Sequence, residues 1–189
     1  YGIHAFLKIY SGGLGILAGD YLKEASDSNF PIVAFGLLFR YGYFKQKLSR
    51  LGEQIVQYIP QKFTNLPITA VRNNDGQWLK IHLPLPGRNV YAKIWQVKVG
   101  RIALYLLDTD IEENLDEDKE ITARLYDAEW EMRLKQEYLL GFGSIDAMRA
   151  MGIKPTVFHL NEGHAAFANI ARLRYYIKEK HFSMQHALE

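Results

Sequence analysis

The sequence predicts an α/β fold that carries an inserted β-rich segment, and three patterns support this prediction. Apolar residues recur at helical spacing over 14–25, directly after a run of glycines. A continuous apolar run over 32–39 is typical of a buried strand. Leucine and isoleucine alternate with other residues over 79–85, which indicates a strand with one buried face. Strands and helices in alternation favour a largely parallel sheet with helices on both faces.

The first third of the chain supplies a helix and two strands. The helix has its apolar stripe at Leu14, Leu17, Ala18, Tyr21, Leu22 and Ala25. Polar residues and Pro31 end it before the buried strand. Residues 43–48 predict a further strand.

The middle of the chain, from about 52 to 108, predicts an antiparallel β-rich segment. Asn73-Asn74-Asp75-Gly76 is typical of a hairpin turn. Two further strands are expected around Val99-Gly100, one before this pair and one after it. Residues 111–152 then predict helix, 156–160 a short buried strand, and the stretch after 161 a final helix whose basic residues crowd its C-terminal end.

Composition excludes several classes of function. The chain has 189 residues, 48% of them hydrophobic, and a net charge of +2, which gives no bulk electrostatic reason to bind nucleic acid or a membrane surface. It contains no cysteine, which excludes a thiolate nucleophile and a disulfide scaffold and suits the reducing cytoplasm. No apolar run is long enough for a membrane span. Because the chain begins at Tyr1, we expect it to be a fragment of a longer protein.

The first candidate site is the glycine run Gly12-Gly13-Leu14-Gly15 at the start of the first helix. Free N–H groups and the helix dipole at such a position favour an anion, and glycine allows it to come close. Residues 13–18 also fit the dinucleotide fingerprint G-x-G-x-x-A, although the residues before them make a poor strand. A tight turn with close helix packing is the structural alternative.

The second candidate site is "FHLNEGHAAF", residues 158–167. Asn161, Glu162 and His164 lie together at a predicted strand-to-helix turn, where short polar side chains are suited to binding sugar hydroxyls. With His159 they also raise the possibility of a metal site, but the spacing matches no common ligand motif, so no metal is predicted. The structural alternative is that Asn161 or Glu162 caps the helix.

Three blocks resemble the α-glucan (glycogen) phosphorylases in sequence order. They are "YSGGLGILAGDYLKEASDSNFPIVAFGLLFRYGYFKQKLS", "RLKQEYLL" and "FHLNEGHAAF". Their residues resemble the bacterial and archaeal branch of the family more than the animal enzymes. The resemblance covers essentially the whole chain and places it within the N-terminal, Rossmann-like domain of a GT-B fold. It implies retaining, reversible phosphorolysis of α-1,4-glucan (glycogen, starch or maltodextrin) by inorganic phosphate to give glucose 1-phosphate, in a cytoplasmic homo-oligomer.

The same resemblance implies roles for particular residues. Gly12, Gly13 and Leu14 are expected to meet the substrate phosphate and the departing sugar, with the Gly13 and Leu14 amides as donors. His164 is expected beside the glucosyl unit, with Asn161. Glu162 stands where animal enzymes have aspartate, which leaves its role open. Pyridoxal phosphate is the implied cofactor, held mainly by a C-terminal domain that carries the Schiff-base lysine and lies outside this chain.

Two other classes of function stay open on the sequence alone. Nucleotide-sugar glycosyltransferases of the glycogen or starch synthase type begin with a similar glycine loop, although there a lysine stands where this chain has Tyr10. A non-catalytic carbohydrate-binding fragment is the other alternative. The shortened block 126–138, where the family has an active-site gate, argues against gate-type regulation.

Overall fold

The hydrophobic runs form a mixed sheet in the computed structural model, which describes residues 1–188. The strands along the chain are β1 (Val33–Leu37), β2 (Lys45–Leu48), β3 (Gln54–Gln57), β4 (Ile68–Ala70), β5 (Lys80–Leu85), β6 (Arg88–Val99) and β7 (Ile102–Asp108). Five of them form the main sheet in the order β1-β7-β6-β4, and β5 also pairs with the long strand β6. The remaining two, β2 and β3, form a separate hairpin.

The expected largely parallel sheet is wrong. Among the strands of residues 1–188, only β1 and β7 pair in parallel, over Val33–Leu37 and Ala103–Leu107, and the other strand pairs are antiparallel. The reason is that the β-rich segment supplies four of the five strands, and tight turns join β5 to β6 and β6 to β7, which only antiparallel neighbours allow. Gly87 and Gly100 stand in two of these turns with φ of +78° and +58°. The antiparallel character expected for this segment is confirmed.

The helices are α1 (Gly13–Asp27), α2 (Asp116–Lys119), α3 (Trp130–Tyr138), α4 (Ser144–Ala150), α5 (Phe167–Lys178) and α6 (Met184–Leu188). The single helix expected over 111–152 is therefore interrupted. Residues 123–129 are not helical, and a π-helical turn over Leu139–Gly143 joins α3 to α4. Close contacts accompany this turn: a Cβ on Gly141 would lie 2.5 Å from the Cβ of Phe167, and one on Gly143 would lie 2.9 Å from Leu107.

Helix α1 buries a different face from the one its apolar stripe predicts. Leu22 and Ala25 are in the core, but Leu17 is 64% exposed and Tyr21 47% exposed. The helix approaches its neighbours through Gly19, where a Cβ would lie 2.5 Å from the carbonyl oxygen of Gly2. This contact turns the face between Gly19 and Ser26 inward and leaves the first half of the stripe outside.

The short strand expected over 156–160 is also wrong. These residues pair with no strand in the described chain, and Val157 is 79% exposed. Phe158 and Leu160 pack against the core from a loop instead, and the guanidinium of Arg172 lies 4.2 Å from the centre of the Phe158 ring. A short apolar run occurs in packed loops as well as in buried strands, so the hydrophobic pattern of the sequence does not distinguish a loop from a strand here.

A buried polar cluster closes the carboxyl end of β7. The Asp108 carboxylate is 1% exposed and accepts hydrogen bonds from Trp95 Nε1 at 3.0 Å and from Thr122 Oγ1 at 3.3 Å. Lys93 Nζ lies 3.1 Å from it and forms an ion pair. The cluster ties β6, β7 and the chain before α3 together at the end of the sheet.

Candidate active site

The glycine run forms an open helix start, as the sequence predicts. Gly12 has φ of +77°, a conformation that favours glycine, and α1 begins at Gly13. No side chain caps this helix and no acidic residue lies in its first turn. The first N–H groups of α1 therefore have no capping partner, and the helix dipole leaves a partial positive charge there.

The individual glycines of this run differ in what they do. A Cβ on Gly15 would lie 2.5 Å from the Cβ of Tyr10, so internal packing requires glycine at that position. A Cβ on Gly13 would meet no atom within 4 Å, and Gly13 does not have a positive φ. Packing therefore explains Gly15, backbone conformation explains Gly12, and neither explains Gly13 within the described chain.

The second site loop has a strained backbone. Glu162 has φ of +59° and ψ of 178°, a region that is nearly restricted to glycine. A 3₁₀ turn over Gly163–Ala165 follows, and α5 begins at Phe167. No side-chain cap is formed at either start, so the capping alternative for Asn161 and Glu162 is wrong.

The polar side chains of this loop remain accessible. Glu162 is exposed, and Asn161 and His164 are half-buried. Asn161 Oδ1 lies 3.2 Å from Nε2 of His159, which positions the Asn161 amide. The loop thus presents an amide, a carboxylate and an imidazole on one short strained turn, and these groups can donate hydrogen bonds to sugar hydroxyls and accept them.

One aromatic stack connects α1 to the segment that leads into the second site loop. Tyr21 of α1 stacks on His159, with ring centres 5.7 Å apart and planes 17° from parallel. Tyr21 lies eight residues after Gly13, a rise of about 12 Å along the helix. The stack therefore joins the segment before the Asn161–His164 turn to α1, about two turns after the glycine run.

A third segment reaches the glycine run from far along the chain. Tyr126 Oη donates a hydrogen bond to the carbonyl oxygen of Ser11 at 3.2 Å, across 115 residues. Tyr126 belongs to residues 126–138, the block that the sequence resemblance places at an active-site gate. Sequence reasoning missed this contact, as well as the Tyr21–His159 stack, because neither tyrosine carries a local signal of its partner.

Several other possibilities find no support in residues 1–188. No strand precedes the glycine run, so the context of a dinucleotide fingerprint is missing there. No three histidine, aspartate or glutamate side chains in this part of the chain are grouped to hold a metal ion. Within the same residues, no helix is long and apolar enough to cross a membrane.

Curated relatives with high sequence identity are phosphorylases of glucans. The chain is 49% identical to a maltodextrin phosphorylase of Thermococcus litoralis, over 95% of this chain and 22% of that protein. It is 40% identical to a glycogen phosphorylase of Aquifex aeolicus, over 92% of this chain and 25% of that protein. For a glycogen phosphorylase of Mycobacterium tuberculosis the identity is 43%, over 92% of this chain and 21% of the relative.

The relatives named above form one class, the maltodextrin and glycogen phosphorylases, and this chain is homologous to a part of them. It spans between a fifth and a quarter of the length of the relatives named above. No protein-family profile matches it.

Proposed function

We propose that the full-length protein is a glucan phosphorylase. It cleaves the terminal unit of an α-1,4-glucan with inorganic phosphate, reversibly and with retention, to give glucose 1-phosphate. This chain supplies part of the phosphate and glucan side of the active site, within the N-terminal Rossmann-like domain of a GT-B fold. The names of three relatives at 40–49% identity support the reaction class.

Gly13 is the observation that carries the proposal at the level of residues. It stands at an uncapped helix start, and nothing in the described chain occupies the space that its side chain would take. A ligand anion can therefore approach the Gly13 and Leu14 amides directly. Backbone donors fixed in this way stabilise negative charge in a transition state without having to reorganise.

The Asn161–His164 turn is proposed to hold the glucosyl unit. Asn161 and His164 present a side-chain amide and an imidazole to the sugar, and Glu162 adds a carboxylate from a strained backbone. His164 holds a hydroxyl or, through its carbonyl, stabilises positive charge that develops on the sugar ring. The stack of Tyr21 on His159 connects the segment before this turn to α1, the helix whose start is proposed to bind the phosphate.

The loops of this chain do not fit covalent attachment of pyridoxal phosphate, the proposed cofactor. Neither residues 10–20 nor residues 158–167 contain a lysine that would form a Schiff base. Their groups suit a phosphate and a polyol rather than a pyridine ring. We therefore assign the cofactor to the rest of the full-length protein.

The wider setting of the protein is part of the same proposal. The absence of cysteine supports a cytoplasmic enzyme. The proposal that the protein is a homo-oligomer rests only on the resemblance to glucan phosphorylases. A carbohydrate-binding protein without catalytic activity is the second candidate, because the amide, carboxylate and imidazole of the Asn161–His164 turn would suit it equally. The experiment below distinguishes this binding protein from a phosphorylase.

The decisive experiment measures glucose 1-phosphate made by the full-length protein from maltoheptaose and inorganic phosphate. We expect ³¹P NMR to show phosphate-dependent formation of the α anomer of glucose 1-phosphate. We also expect the reverse reaction, in which glucose 1-phosphate extends the glucan. Transfer from a nucleotide-sugar without any need for phosphate would instead identify a synthase-type enzyme. Glucan binding with neither reaction would identify a binding protein and would overturn the proposal.

A further inference from the structure

Arg172 of α5 reaches back to the segment that leads into the Asn161–His164 turn. Its guanidinium carbon lies 4.2 Å from the centre of the Phe158 ring, inside the separation of about 6 Å at which an aromatic face attracts a cation. A planar guanidinium stacks on such a face, which the ammonium group of lysine cannot do. The contact closes a loop of chain that runs from Phe158 through the turn and into the second turn of α5.

Arg172 differs from its neighbour Arg174 in how its guanidinium is held. The Nη2 group of Arg174 lies 3.0 Å from both carboxylate oxygens of Asp146 and so joins α5 to α4. The Nε of Arg172 is buried and has no hydrogen-bond partner within residues 1–188. A buried donor without a partner costs free energy. The stack on Phe158 is therefore the contact of the described residues that explains the placement of Arg172.

Helix α5 gives this contact an anchored base. Ala168 and Ala171 of the helix are buried, and a Cβ on Gly141 would lie 2.5 Å from the Cβ of Phe167. Residues 156–160, in contrast, pair with no strand in the part of the chain that the structure describes. The chain thus leaves the turn on a packed helix and enters it through a segment that depends on side-chain contacts for its position.

The strained backbone of Glu162 needs such contacts. Its φ is +59° and its ψ 178°, and a conformation of this kind persists only where the surrounding structure over-determines it. Phe158 lies four residues before Glu162, and Arg172 holds it from the side of the helix. Release of the Phe158 ring would let the backbone at 162 relax and would move the polar side chains of the turn.

We propose that Arg172 is a positioning residue for the glucan, because its stack on Phe158 holds the Asn161–His164 turn in the conformation that presents its polar groups. The inference rests on the proposed function, since it assigns Arg172 to the glucan side of that site. Arg172 acts through the turn and contacts no reacting atom. The proposed phosphate site at Gly13 shares no residue with the stack, so loss of the stack weakens the use of glucan and leaves phosphate binding unchanged.

The test measures steady-state phosphorolysis by the full-length protein with Arg172 replaced. Arg172→Leu removes both the charge and the planar group, whereas Arg172→Lys retains the charge alone. We expect both variants to lower kcat/KM for maltoheptaose about three- to tenfold, the range that the loss of a cation–π contact accounts for. The KM for phosphate should stay at the wild-type value.

Arg174→Lys is the matched control on the same helix. It weakens the hydrogen bonds to Asp146, so we expect a lower melting temperature. The kinetic constants for maltoheptaose and for phosphate should nevertheless equal those of the wild type, because this arginine does not contact the segment before the turn. The control therefore separates a loss of stability in α5 from a loss of position in the turn.

Hydrogen exchange followed by mass spectrometry reports on the turn without any need for activity. The amide of Ala166 donates to the carbonyl of Gly163 at 3.0 Å, which gives the turn a backbone hydrogen bond whose opening can be measured. We expect peptides that cover residues 158–166 to exchange faster in both Arg172 variants than in the wild type. In Arg174→Lys they should exchange at the wild-type rate.

Wild-type kcat/KM for maltoheptaose in either folded Arg172 variant would overturn the inference, and so would wild-type exchange of residues 158–166. A raised KM for phosphate, or an equal kinetic loss in Arg174→Lys, would also overturn it, because the effect would then come from a general loosening of α5. Absence of phosphorolysis in the wild type would instead overturn the proposed function. The exchange rates would in that case still test whether Arg172 holds the turn.

Discussion

Gly13 has no side chain and no neighbour that requires the absence of one. A Cβ there would meet no atom within 4 Å, whereas a Cβ on Gly15 would lie 2.5 Å from Tyr10. The two glycines are two residues apart and answer to different constraints. At Gly15 the constraint is internal packing, and at Gly13 we assign it to the phosphate.

Replacing Gly13 should therefore affect turnover far more than stability. In the full-length protein we expect Gly13→Ala or Gly13→Val to lower kcat by about 10²–10³, the typical cost of losing an oxyanion donor. The melting temperature should stay close to that of the wild type. Steady-state phosphorolysis and a thermal melt of the same samples provide the measurement.

Gly15→Ala is the matched control for this experiment. Its added methyl group collides with Tyr10, so we expect a clearly lower melting temperature. Near-normal turnover in a folded Gly13→Val variant would contradict the assignment of Gly13 to the phosphate.

Glu162 holds a backbone conformation that its side chain disfavours. Its φ of +59° is combined with ψ of 178°, and such positions cost about 1–3 kcal/mol and cluster at functional sites. The neighbouring Gly163 does not have a positive φ, so the strain stands on the residue that carries the carboxylate. We infer that the carboxylate matters to the site.

The strain at Glu162 can be separated from the role of its carboxylate by two variants. Glu162→Gly relieves the strain and Glu162→Ala retains it, while both remove the carboxylate. We expect the glycine variant to be more stable than the alanine variant by about 1–2 kcal/mol in urea unfolding. Both should show the same altered KM for glucan. Equal stability of the two variants would show that the backbone at 162 relaxes.

At the scale of elements, the carboxyl end of β7 depends on one buried charge. Asp108 accepts hydrogen bonds from Trp95 and Thr122 and pairs with Lys93 while only 1% exposed. Removing one member of a buried pair leaves the other charge without compensation. The position of β7 against β6 and against the chain before α3 therefore relies on this carboxylate.

We expect Asp108→Ala to destabilise the protein by about 3–5 kcal/mol, the typical cost of breaking a buried ion pair. Asp110→Ala is the control, because that carboxylate is partly exposed and lies 3.7 Å from Arg40. We expect it to cost about 1 kcal/mol or less. Urea unfolding of both variants gives the comparison, and similar losses would show that Asp108 carries no special weight.

The same scale explains the surfaces that the fold leaves uncovered. All eight strand residues of the β2–β3 hairpin are exposed, and so is the outer stripe of α1 at Leu17 and Tyr21. A two-stranded hairpin without a packed face is marginally stable in water. The hairpin residues Leu48, Ile55 and Val56 and the α1 residues Leu17 and Tyr21 therefore form apolar surface that this chain does not cover.

At the scale of the molecule, the chain by itself should not carry out the reaction. Proximity of phosphate, sugar and cofactor supplies much of the acceleration in such an enzyme. The chain spans 21–25% of the relatives it matches, and its two site loops contain no lysine. We expect the isolated 189-residue chain to form no glucose 1-phosphate and to self-associate through its exposed apolar surface.

Mixing the purified chain with pyridoxal phosphate, followed by borohydride reduction and mass spectrometry, tests this prediction. Glucose 1-phosphate is assayed in the same samples with maltoheptaose, and light scattering reports the association. The full-length protein is the positive control. A stoichiometric adduct at one lysine, together with product, would show that the apparatus assigned elsewhere is present in this chain.

Local chemistry determined much of this protein in advance. The helix start at Gly13, the alternation that gives β5, and the turns at Gly76 and Gly100 each depend on residues close in sequence. Dihedral preference and side-chain period act over a few residues, so they can be recognised without the fold. The resemblance to glucan phosphorylases likewise rests on contiguous blocks.

The tertiary structure alone decided which parts of the chain meet. It turned Leu17 and Tyr21 outward, left 156–160 without a strand partner in the described chain, and paired β1 with β7 in parallel. It also brought Tyr126 to Ser11 across 115 residues. These outcomes depend on the packing of distant elements against each other, and the energy of that packing is not encoded in the period of any single segment.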